Sequence, residues 1–289
     1  MASHEPSYGI TEDRRARLRS KGLLLIRSAV KPPAVARLAA AIDRLYDEEL
    51  VAGRVKQGER MHMLGGVARS DAFLELLDNA AVFPHICREL GWNIYVYHSH
   101  VDLTPPVAGE SSRPVWGWHQ DGGRQNLDLE GEPRPRLSLK VGFWLSDVSV
   151  PGRGNMLVIP GSHTRNSLPR PSAREGSVEQ PTGCEPVLAR PGDALIFDRR
   201  LWHSRSENRS AHTRKAVFLS YTYRWIRPRD WIGIDRSSAR FRGLSALRGQ
   251  LLGLDSEPHS HWGLRSDDVP LRGALERRGA LDPSTPNHR

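Results

Sequence analysis

Cysteine is nearly absent from this sequence, and the features it lacks already exclude several classes of protein. Only Cys87 and Cys184 occur among 289 residues, so a disulfide-built fold is excluded and two unpaired thiols are expected. No apolar run reaches the length of about 18 residues that a membrane-spanning helix needs. The N-terminal segment has no apolar core stretch, so we expect no secretory signal, no membrane association and a cytoplasmic protein.

Lysine is scarce too, although the formal net charge is +9, and it occurs only at positions 21, 31, 56, 140 and 215. The arginines are scattered and form no dense basic block, zinc-finger spacing or recognition-helix pattern. Arginine in place of lysine throughout is typical of a GC-rich coding bias. We therefore expect no nucleic-acid partner despite the positive charge.

The first ninety residues are predicted to be mostly helical. Residues 32–53 have apolar side chains at helical spacing, with proline at the start and glycine at the end. Two shorter helices are predicted over 70–79 and 80–91, with Ser70 as an N-cap and Gly91 as a stop. The apolar run 22–30 has the length of a strand.

The pattern changes after Gly91, where short β-rich segments follow one another without intervening helices. This order favours an antiparallel sandwich or barrel over a parallel sheet. The polar segment 122–136 is predicted to be a functional lid or plain disorder. We predict one domain over 1–289, with a helical region at 1–91, a core at 92–225 and an extension at 226–289. The predicted strands lie at 92–103, 137–148, 155–161, 193–198 and 215–225.

Two residues in the stretch WHQD could converge on one point. In an extended strand the side chains of His119 and Asp121 project to the same face, while Gln120 faces away. Such a pair could hold a metal, orient a base or simply share a hydrogen bond. His-x-Asp alone does not decide among these.

A distant stretch adds two further candidates. His203 follows the apolar strand 193–198, and Arg214 stands at the start of the next strand. His119, Asp121 and His203 make up a 2-His-1-carboxylate ligand set, which is typical of oxygen-activating non-haem iron. Zinc hydrolases reuse similar ligands. The accompanying Arg214 favours iron chemistry that consumes a 2-oxo acid, because a guanidinium can clamp the distal carboxylate of 2-oxoglutarate.

The motifs WHQD, GNMLVIPGSH, PGDALIFDRRLWHSRSENRSAHTRKAV and YRWIRPRDW resemble the phytanoyl-CoA dioxygenase family of Fe(II)/2-oxoglutarate oxygenases. The resemblance implies a mainly β fold with flanking helices, whose core is a double-stranded β-helix, the cupin-like jelly roll. It implies Fe(II), 2-oxoglutarate and O₂ as cofactor and cosubstrates. It makes His119, Asp121 and His203 the metal ligands and catalytic centre, and Arg214 the 2-oxoglutarate anchor.

Three further residues are predicted to bind the cosubstrate or the substrate. By the resemblance, Trp144 lines the cosubstrate pocket. Thr104 stands where the family often has a lysine, so it offers a hydrogen bond without a charge. His98 is predicted to face the same cavity as His119. The alternative is that His98 is a buried core residue whose hydrogen bonds are made within the protein.

The sequence therefore predicts a 2-oxoglutarate-dependent dioxygenase, monomeric or homodimeric, that hydroxylates an aliphatic carbon of a small molecule. Bacterial secondary metabolism is the expected setting. The same cofactor chemistry can instead give desaturation, cyclisation or epimerisation. A non-catalytic jelly-roll binding protein and a metal-dependent hydrolase or isomerase are the rival classes. Neither rival needs all four of His119, Asp121, His203 and Arg214 together.

Overall fold

Nine β-strands in two antiparallel sheets form the centre of the described chain. The computed structural model describes residues 11–107, 117–168, 180–230, 241–254 and 269–277. In chain order, the strands are β1 (Leu23–Ile26), β2 (Met61–Leu64), β3 (Ile94–Thr104), β4 (Ser138–Trp144), β5 (Met156–Val158), β6 (Glu185–Pro186), β7 (Ala194–Asp198), β8 (His203–Arg205) and β9 (Arg214–Tyr223).

The larger sheet has six strands in the order β1-β7-β4-β9-β3-β2, and the smaller has three in the order β6-β5-β8. Every pairing in both sheets is antiparallel. Most neighbours in the sheet are not neighbours in the chain, as in a jelly roll. The predicted fold class is confirmed.

Helices surround the larger sheet and begin and end at recognisable signals. Thr11 caps α1 by accepting a hydrogen bond from Arg14, and Gly22 ends it in the left-handed conformation at φ 74°. The helices are α1 (Glu12–Lys21), α2 (Pro32–Val51), α3 (Gly66–Arg69), α4 (Phe83–Leu90), α5 (Gln125–Asp128), α6 (Ala246–Leu251) and α7 (Pro270–Arg277), with 3-10 turns at Asp71–Leu76 and Ser162–Thr164.

The larger sheet separates two apolar cores. On β4, Leu139, Val141 and Phe143 face the first core, which they share with buried side chains of α2 and α4. Trp144 belongs to the second core, which joins inner residues of both sheets and includes Met156 of β5. Alternation along the strand places Lys140, Gly142 and Trp144 on this inner face. The functional cavity opens between the sheets on that face.

The sequence predicts the long elements well and the short ones poorly. The strands β1, β3, β4, β5, β7 and β9 and the helices α2 and α4 lie where predicted. The predicted helix over 70–79 is only a 3-10 turn, in which Ser70 makes no side-chain capping hydrogen bond. The mostly helical N-terminal region also contributes β2, which pairs with β3.

Two further expectations concern the cysteines and the membrane. Cys87 is a buried free thiol and Cys184 a half-buried one, so neither is in a disulfide, as predicted. No helix among the described ranges combines the length and the apolar character of a membrane span.

Candidate metal centre and adjoining cavity

The three predicted ligands converge on one point. The donor atoms of His119, Asp121 and His203 all lie within 4.8 Å of one another, and Nε2 of His203 is 3.9 Å from Oδ1 of Asp121. The two imidazole rings are 4.3 Å apart between centroids. Sheet hydrogen bonding causes this approach, because His119 and His203 exchange two backbone hydrogen bonds of 3.0 Å. Asp121 is fixed next to them by a backbone bond to Arg199 of 2.8 Å.

Both imidazoles are oriented by backbone carbonyls. Nδ1 of His119 lies 2.5 Å from the carbonyl oxygen of Gly117, and Nδ1 of His203 lies 2.8 Å from that of Leu201. A carbonyl can only accept, so Nδ1 carries the proton in each ring. Nε2 is then the free acceptor, and the two Nε2 atoms and one carboxylate form a donor set suited to a divalent metal.

The electrostatics favour a charged carboxylate and a neutral histidine. Burial alone would raise the pKa of Asp121, but Lys140 and the two histidines lower it well below its usual range. Nζ of Lys140 lies 3.1 and 3.3 Å from the two carboxylate oxygens. Burial lowers the pKa of His203 to about 4, against the opposing effect of Asp121. At neutral pH these groups are therefore in the protonation states that metal binding requires.

A cavity of about 470 Å³ extends from these ligands along the inner face of the larger sheet. Strands β4, β9 and β3 form its floor, and their inward-facing residues lie in register in successive rows, each about 7 Å from the next along the strands. The rows are Lys140–Ser220–His98, Gly142–Phe218–His100 and Trp144–Ala216–Asp102, followed by Arg214 opposite Thr104.

An aromatic residue lies in the middle of this floor. The ring of Phe218 stacks on His100 at 4.5 Å and is edge-on to Trp144 at 6.1 Å. The neighbouring position must be glycine, because a Cβ on Gly142 would lie 2.6 Å from Phe218 Cε1. Phe218 thus separates Lys140 near the metal ligands from Arg214 at the far end.

Arginines line the far end of the cavity. Arg214 is buried and lies 3.4 Å from Asp102, and its Nε has no hydrogen-bond partner among the described residues. Oγ1 of Thr104, in the residue opposite Arg214, is buried and has no partner in the described part of the chain either. Arg205 adds another guanidinium nearby, and burial together with Arg60 and Arg214 lowers its pKa to about 10. The guanidinium groups of Arg214 and Arg205 line the cavity and have the chemistry to bind a carboxylate such as the distal one of 2-oxoglutarate.

A second cluster, His62, His100 and Asp102, also has metal-ligand geometry within 4.8 Å. Asp102 is already engaged, because it accepts from His62 Nδ1 at 2.7 Å and from Arg60 at 3.0 Å. With Arg214 also beside the carboxylate, a further cation would meet repulsion from two guanidinium groups. The cluster therefore serves to hold the arginines, and we assign no metal to it.

Of the other predicted site residues, one lines the cavity and two do not. His98 lines the cavity, and its Nδ1 lies 2.8 Å from Asp230. Thr104 and Trp144 are buried but are not part of the cavity wall, and Trp144 lies behind Phe218. Their binding roles remain predictions.

Six charged or histidine residues among the described lining escaped prediction from the sequence: Arg60, His62, Asp102, Lys140, Arg205 and Arg229. A signal existed for two of them. Lys140 interrupts an otherwise apolar strand, and His62 alternates with the buried Met61 and Met63.

The segment 122–136 is tied down near the metal ligands. It contains the short helix α5, and Asn126 donates to the carbonyl of Asp121 at 3.2 Å. The buried side chain of Arg199 donates to the same carbonyl at 3.3 Å and to Asn126. Arg134 further along donates its backbone N–H to Asn166 at 3.0 Å. The segment is thus anchored at both ends, and its action as a lid remains a prediction.

Two curated relatives are dioxygenases. The dioxygenase andF of Emericella variicolor is 32% identical over 114 residues, which are 39% of this chain and 36% of that protein. The dioxygenase trt7 of Aspergillus terreus is 24% identical over 210 residues, which are 70% of each chain. This chain therefore matches about a third of the first relative and over two thirds of the second.

Solved structures share the fold. HygX from Streptomyces hygroscopicus, with nickel and 2-oxoglutarate bound, has a TM-score of 0.58 at 15% identity and covers 82% of this chain and 96% of its own. The epimerase SnoN has 0.53 at 22% identity, covering 73% and 82%. The carbocyclase SnoK has 0.53 at 20% identity, covering 74% and 85%. At these identities the likeness shows the fold alone.

A family description also matches most of the chain. The model for "Phytanoyl-CoA dioxygenase (PhyH)" covers residues 18–216, which include β1 to β8 and all three candidate metal ligands.

Proposed function

Since this chain belongs to the phytanoyl-CoA dioxygenase family, we propose that His119, Asp121 and His203 hold Fe(II) and that Arg214 anchors 2-oxoglutarate. Members of this family use Fe(II), 2-oxoglutarate and O₂. The proposal rests on one observation: two imidazoles and a carboxylate converge at one end of a cavity, and the other end holds a buried arginine whose Nε has no hydrogen-bond partner among the described residues.

The residues fit both groups. Two Nε2 acceptors and the Asp121 carboxylate supply one negative charge to a divalent ion, and Lys140 holds that carboxylate in place. Bound iron, with 2-oxoglutarate and O₂, supplies an oxidant that can take a hydrogen atom from an unactivated carbon while 2-oxoglutarate becomes succinate and CO₂.

The protein's own contribution is orientation and exclusion of water. The carbonyls of Gly117 and Leu201 keep each imidazole in one tautomer. Phe197, Phe218 and Met156 make the wall between the two ends apolar, which keeps water from the path that the cosubstrate would span.

We propose hydroxylation of an aliphatic carbon of a small molecule as the reaction. A second outcome has specific support, because SnoN is an epimerase and SnoK a carbocyclase, both from nogalamycin biosynthesis. Epimerisation, cyclisation or desaturation is therefore the alternative. We further propose a single-domain, cytoplasmic enzyme of bacterial secondary metabolism. The nogalamycin-biosynthesis proteins SnoN and SnoK support the secondary-metabolism part of this proposal.

The cofactor assignment is tested without any substrate. Under anaerobic conditions, Fe(II) and 2-oxoglutarate together should give a visible charge-transfer band that neither gives alone. Arg214→Gln should weaken the 2-oxoglutarate dependence of this band, and His119→Ala should abolish it. A non-catalytic binding protein or a hydrolase gives no such band. Absence of the band in the wild-type protein, loaded with both, would contradict the proposal.

The reaction outcome is tested by mass once a substrate is found by screening for 2-oxoglutarate turnover. Under ¹⁸O₂, hydroxylation adds one heavy oxygen to the product. Cyclisation or desaturation removes two hydrogens, and epimerisation leaves the mass of the substrate unchanged.

A further inference from the structure

The described part of the cavity wall holds more positive charge than the proposed tasks require. Among the described residues, five cationic side chains line the cavity against two carboxylates: Arg60, Lys140, Arg205, Arg214 and Arg229 against Asp102 and Asp121. A divalent metal and the dianion 2-oxoglutarate cancel each other's charge, so they leave this excess unchanged. The excess must be balanced by solvent ions or by a further anionic ligand.

Three of the five cations already have a carboxylate partner. Lys140 pairs with Asp121, and Arg60 and Arg214 pair with Asp102. Within the described ranges, Arg205 and Arg229 have no ion pair. These two arginines are therefore the ones available to a ligand.

Arg205 and Arg229 lie at opposite ends of the cavity. Arg205 is close to Arg60 and Arg214, which places it at the cosubstrate end. Arg229 donates its backbone N–H to the carbonyl of Tyr97 at 2.8 Å, whereas Arg214 lies opposite Thr104. Tyr97 and Thr104 are separated along β3 by about 23 Å at the usual strand rise. A cosubstrate that binds Arg214 thus leaves Arg229 free.

The backbone around Arg229 is fixed although its side chain is exposed. A register shift between Val96 and His98 breaks the β3–β9 ladder and leaves the Tyr97 carbonyl free to accept from Arg229. The next residue, Asp230, accepts from His98 Nδ1 at 2.8 Å and from the backbone N–H of Ser99 at 2.7 Å. This anchor holds an arginine at the rim before any ligand arrives.

We propose that Arg229 binds an anionic oxygen group of the primary substrate, so that the enzyme takes small organic acids such as carboxylates. The inference rests on the proposed function, because it assigns Arg214 and the metal ligands to the cosubstrate. A guanidinium fork binds a carboxylate through two parallel hydrogen bonds. Held by this clamp, the substrate's carbon skeleton extends into the cavity toward His119 and Asp121.

The test uses benzoate and its neutral analogue benzamide as probes. Protein loaded with Fe(II) and saturating 2-oxoglutarate is dialysed anaerobically against each probe. Wild-type protein should bind benzoate more tightly than benzamide. Arg229→Gln should weaken benzoate binding by at least about 10-fold, because each charge-assisted hydrogen bond of the fork contributes about that factor, and should leave benzamide binding unchanged. Arg229→Lys should recover part of the loss.

Arg124→Gln is the matched control. Arg124 is an exposed arginine beside the cavity that pairs with Asp128 and lies outside the cavity wall. This variant should bind both probes as the wild-type protein does. Equal benzoate binding by wild type and Arg229→Gln, or no preference for benzoate over benzamide, would overturn the proposal.

Failure of this inference can be told from failure of the proposed function. The charge-transfer band, recorded in the same samples, reports whether metal and 2-oxoglutarate bind. If the band is absent, the cofactor assignment fails, and the probe comparison still decides the role of Arg229. A parallel series without 2-oxoglutarate locates the anion. If added 2-oxoglutarate displaces benzoate there and Arg214→Gln abolishes benzoate binding, the anion lies at the cosubstrate end and the role of Arg229 is refuted.

Discussion

Arg214 is the single residue whose removal we expect to impair cosubstrate binding and to leave folding intact. Its removal leaves Asp102 with two partners, Arg60 and His62, so the carboxylate is not orphaned. We expect Arg214→Ala to fold and to raise the KM for 2-oxoglutarate far more than that for the primary substrate. Losing a buried charge pair costs on the order of 2–5 kcal/mol, or about 30- to several-thousand-fold.

Steady-state kinetics with each substrate varied in turn measure this effect. Arg214→Lys should recover only part of the loss, because an ammonium cannot reproduce the planar fork. An unchanged 2-oxoglutarate dependence would show that another cation, Lys140 or Arg205, holds the carboxylate.

Single residues could be predicted only where a motif fixes their spacing. His119, Asp121 and His203 were found because a strand places i and i+2 on one face and because the motifs resemble a family. Lys140 and Arg60 have no motif. Their place in the cavity depends on register between strands distant in sequence, β4 with β9 and β2 with β3, and composition does not encode that register.

The packing of strand β4 against β9 depends on Gly142. A methyl group at Gly142 would lie 2.6 Å from the Phe218 ring, so Gly142→Ala should displace Phe218 from its stack on His100. We expect a loss of about 1–3 kcal/mol in the free energy of unfolding, as for other overpacked sites. Weaker 2-oxoglutarate binding should accompany it, because Phe218 separates the two ends of the cavity.

Urea unfolding and the charge-transfer titration measure the two effects. Gly249→Ala in α6 is the matched control, since nothing lies within 4 Å of a Cβ there. Alanine favours helix, so the control should be neutral or stabilising. Wild-type behaviour of Gly142→Ala in both measurements would contradict the tight packing of this floor.

Helix α4 should make the protein sensitive to acid. Burial lowers the pKa of His85 from 6.5 to about 4, and Arg14 and Arg88 add to this effect against Glu89. Because the folded pKa lies below the unfolded one, the unfolded chain takes up this proton first as the pH falls. The contribution of neutral His85 to the free energy of unfolding is therefore lost between about pH 6.5 and about pH 4. Below that pH, His85 causes no further loss of stability.

Between pH 7 and pH 4.5, we expect the free energy of unfolding, measured with urea, to fall less for His85→Leu than for the wild-type protein. Above pH 7, the pH dependence of the two proteins should differ less. His212→Gln, at an exposed histidine, controls for the removal of an imidazole and should follow the wild-type curve. Parallel pH curves for His85→Leu and the wild-type protein would show that His85 is not held neutral.

Elements could be predicted where local pattern and packing agree. Helix α2 and strand β9 carry long periodic patterns that match their burial. The two- and three-residue strands β6 and β8 exist only because neighbouring chain segments pair with them, so no local pattern marks them.

For the whole molecule, we expect metal binding to stabilise the fold by linking segments that are distant in sequence. Because His119 and His203 belong to different segments, the ion binds the folded chain and not the unfolded one. A free metal concentration of 100 times Kd should stabilise the fold by about 2.7 kcal/mol. Urea unfolding with and without Co(II), a stable substitute for Fe(II), measures this. His203→Ala should lose the gain and His212→Ala should keep it; equal stabilisation of both would contradict the assigned ligands.

The fold class and the family are confirmed at this scale. Both follow from the order of several motifs along the chain, and that order carries more information than any motif alone. Arg229 at the rim, and Arg60 and Arg205 near Arg214, were not predicted to line the cavity. Arg205 and Arg229 lie within the quoted motifs, but only the packing of distant segments shows which of the many arginines face the cavity.

The bulge at Tyr97 is the position in β3 at which one residue can be deleted without changing the register of the remaining strand. Val96 pairs with Tyr221 and His98 with Ser220, so Tyr97 is the one residue of β3 without a partner in β9. Deleting it would leave a regular ladder, whereas deleting any residue between His98 and Leu103 would turn part of the cavity wall toward the helices. Deleting Tyr97 would also remove the carbonyl that accepts the backbone hydrogen bond of Arg229. Homologues shorter by this one residue should therefore have lost the rim arginine as well.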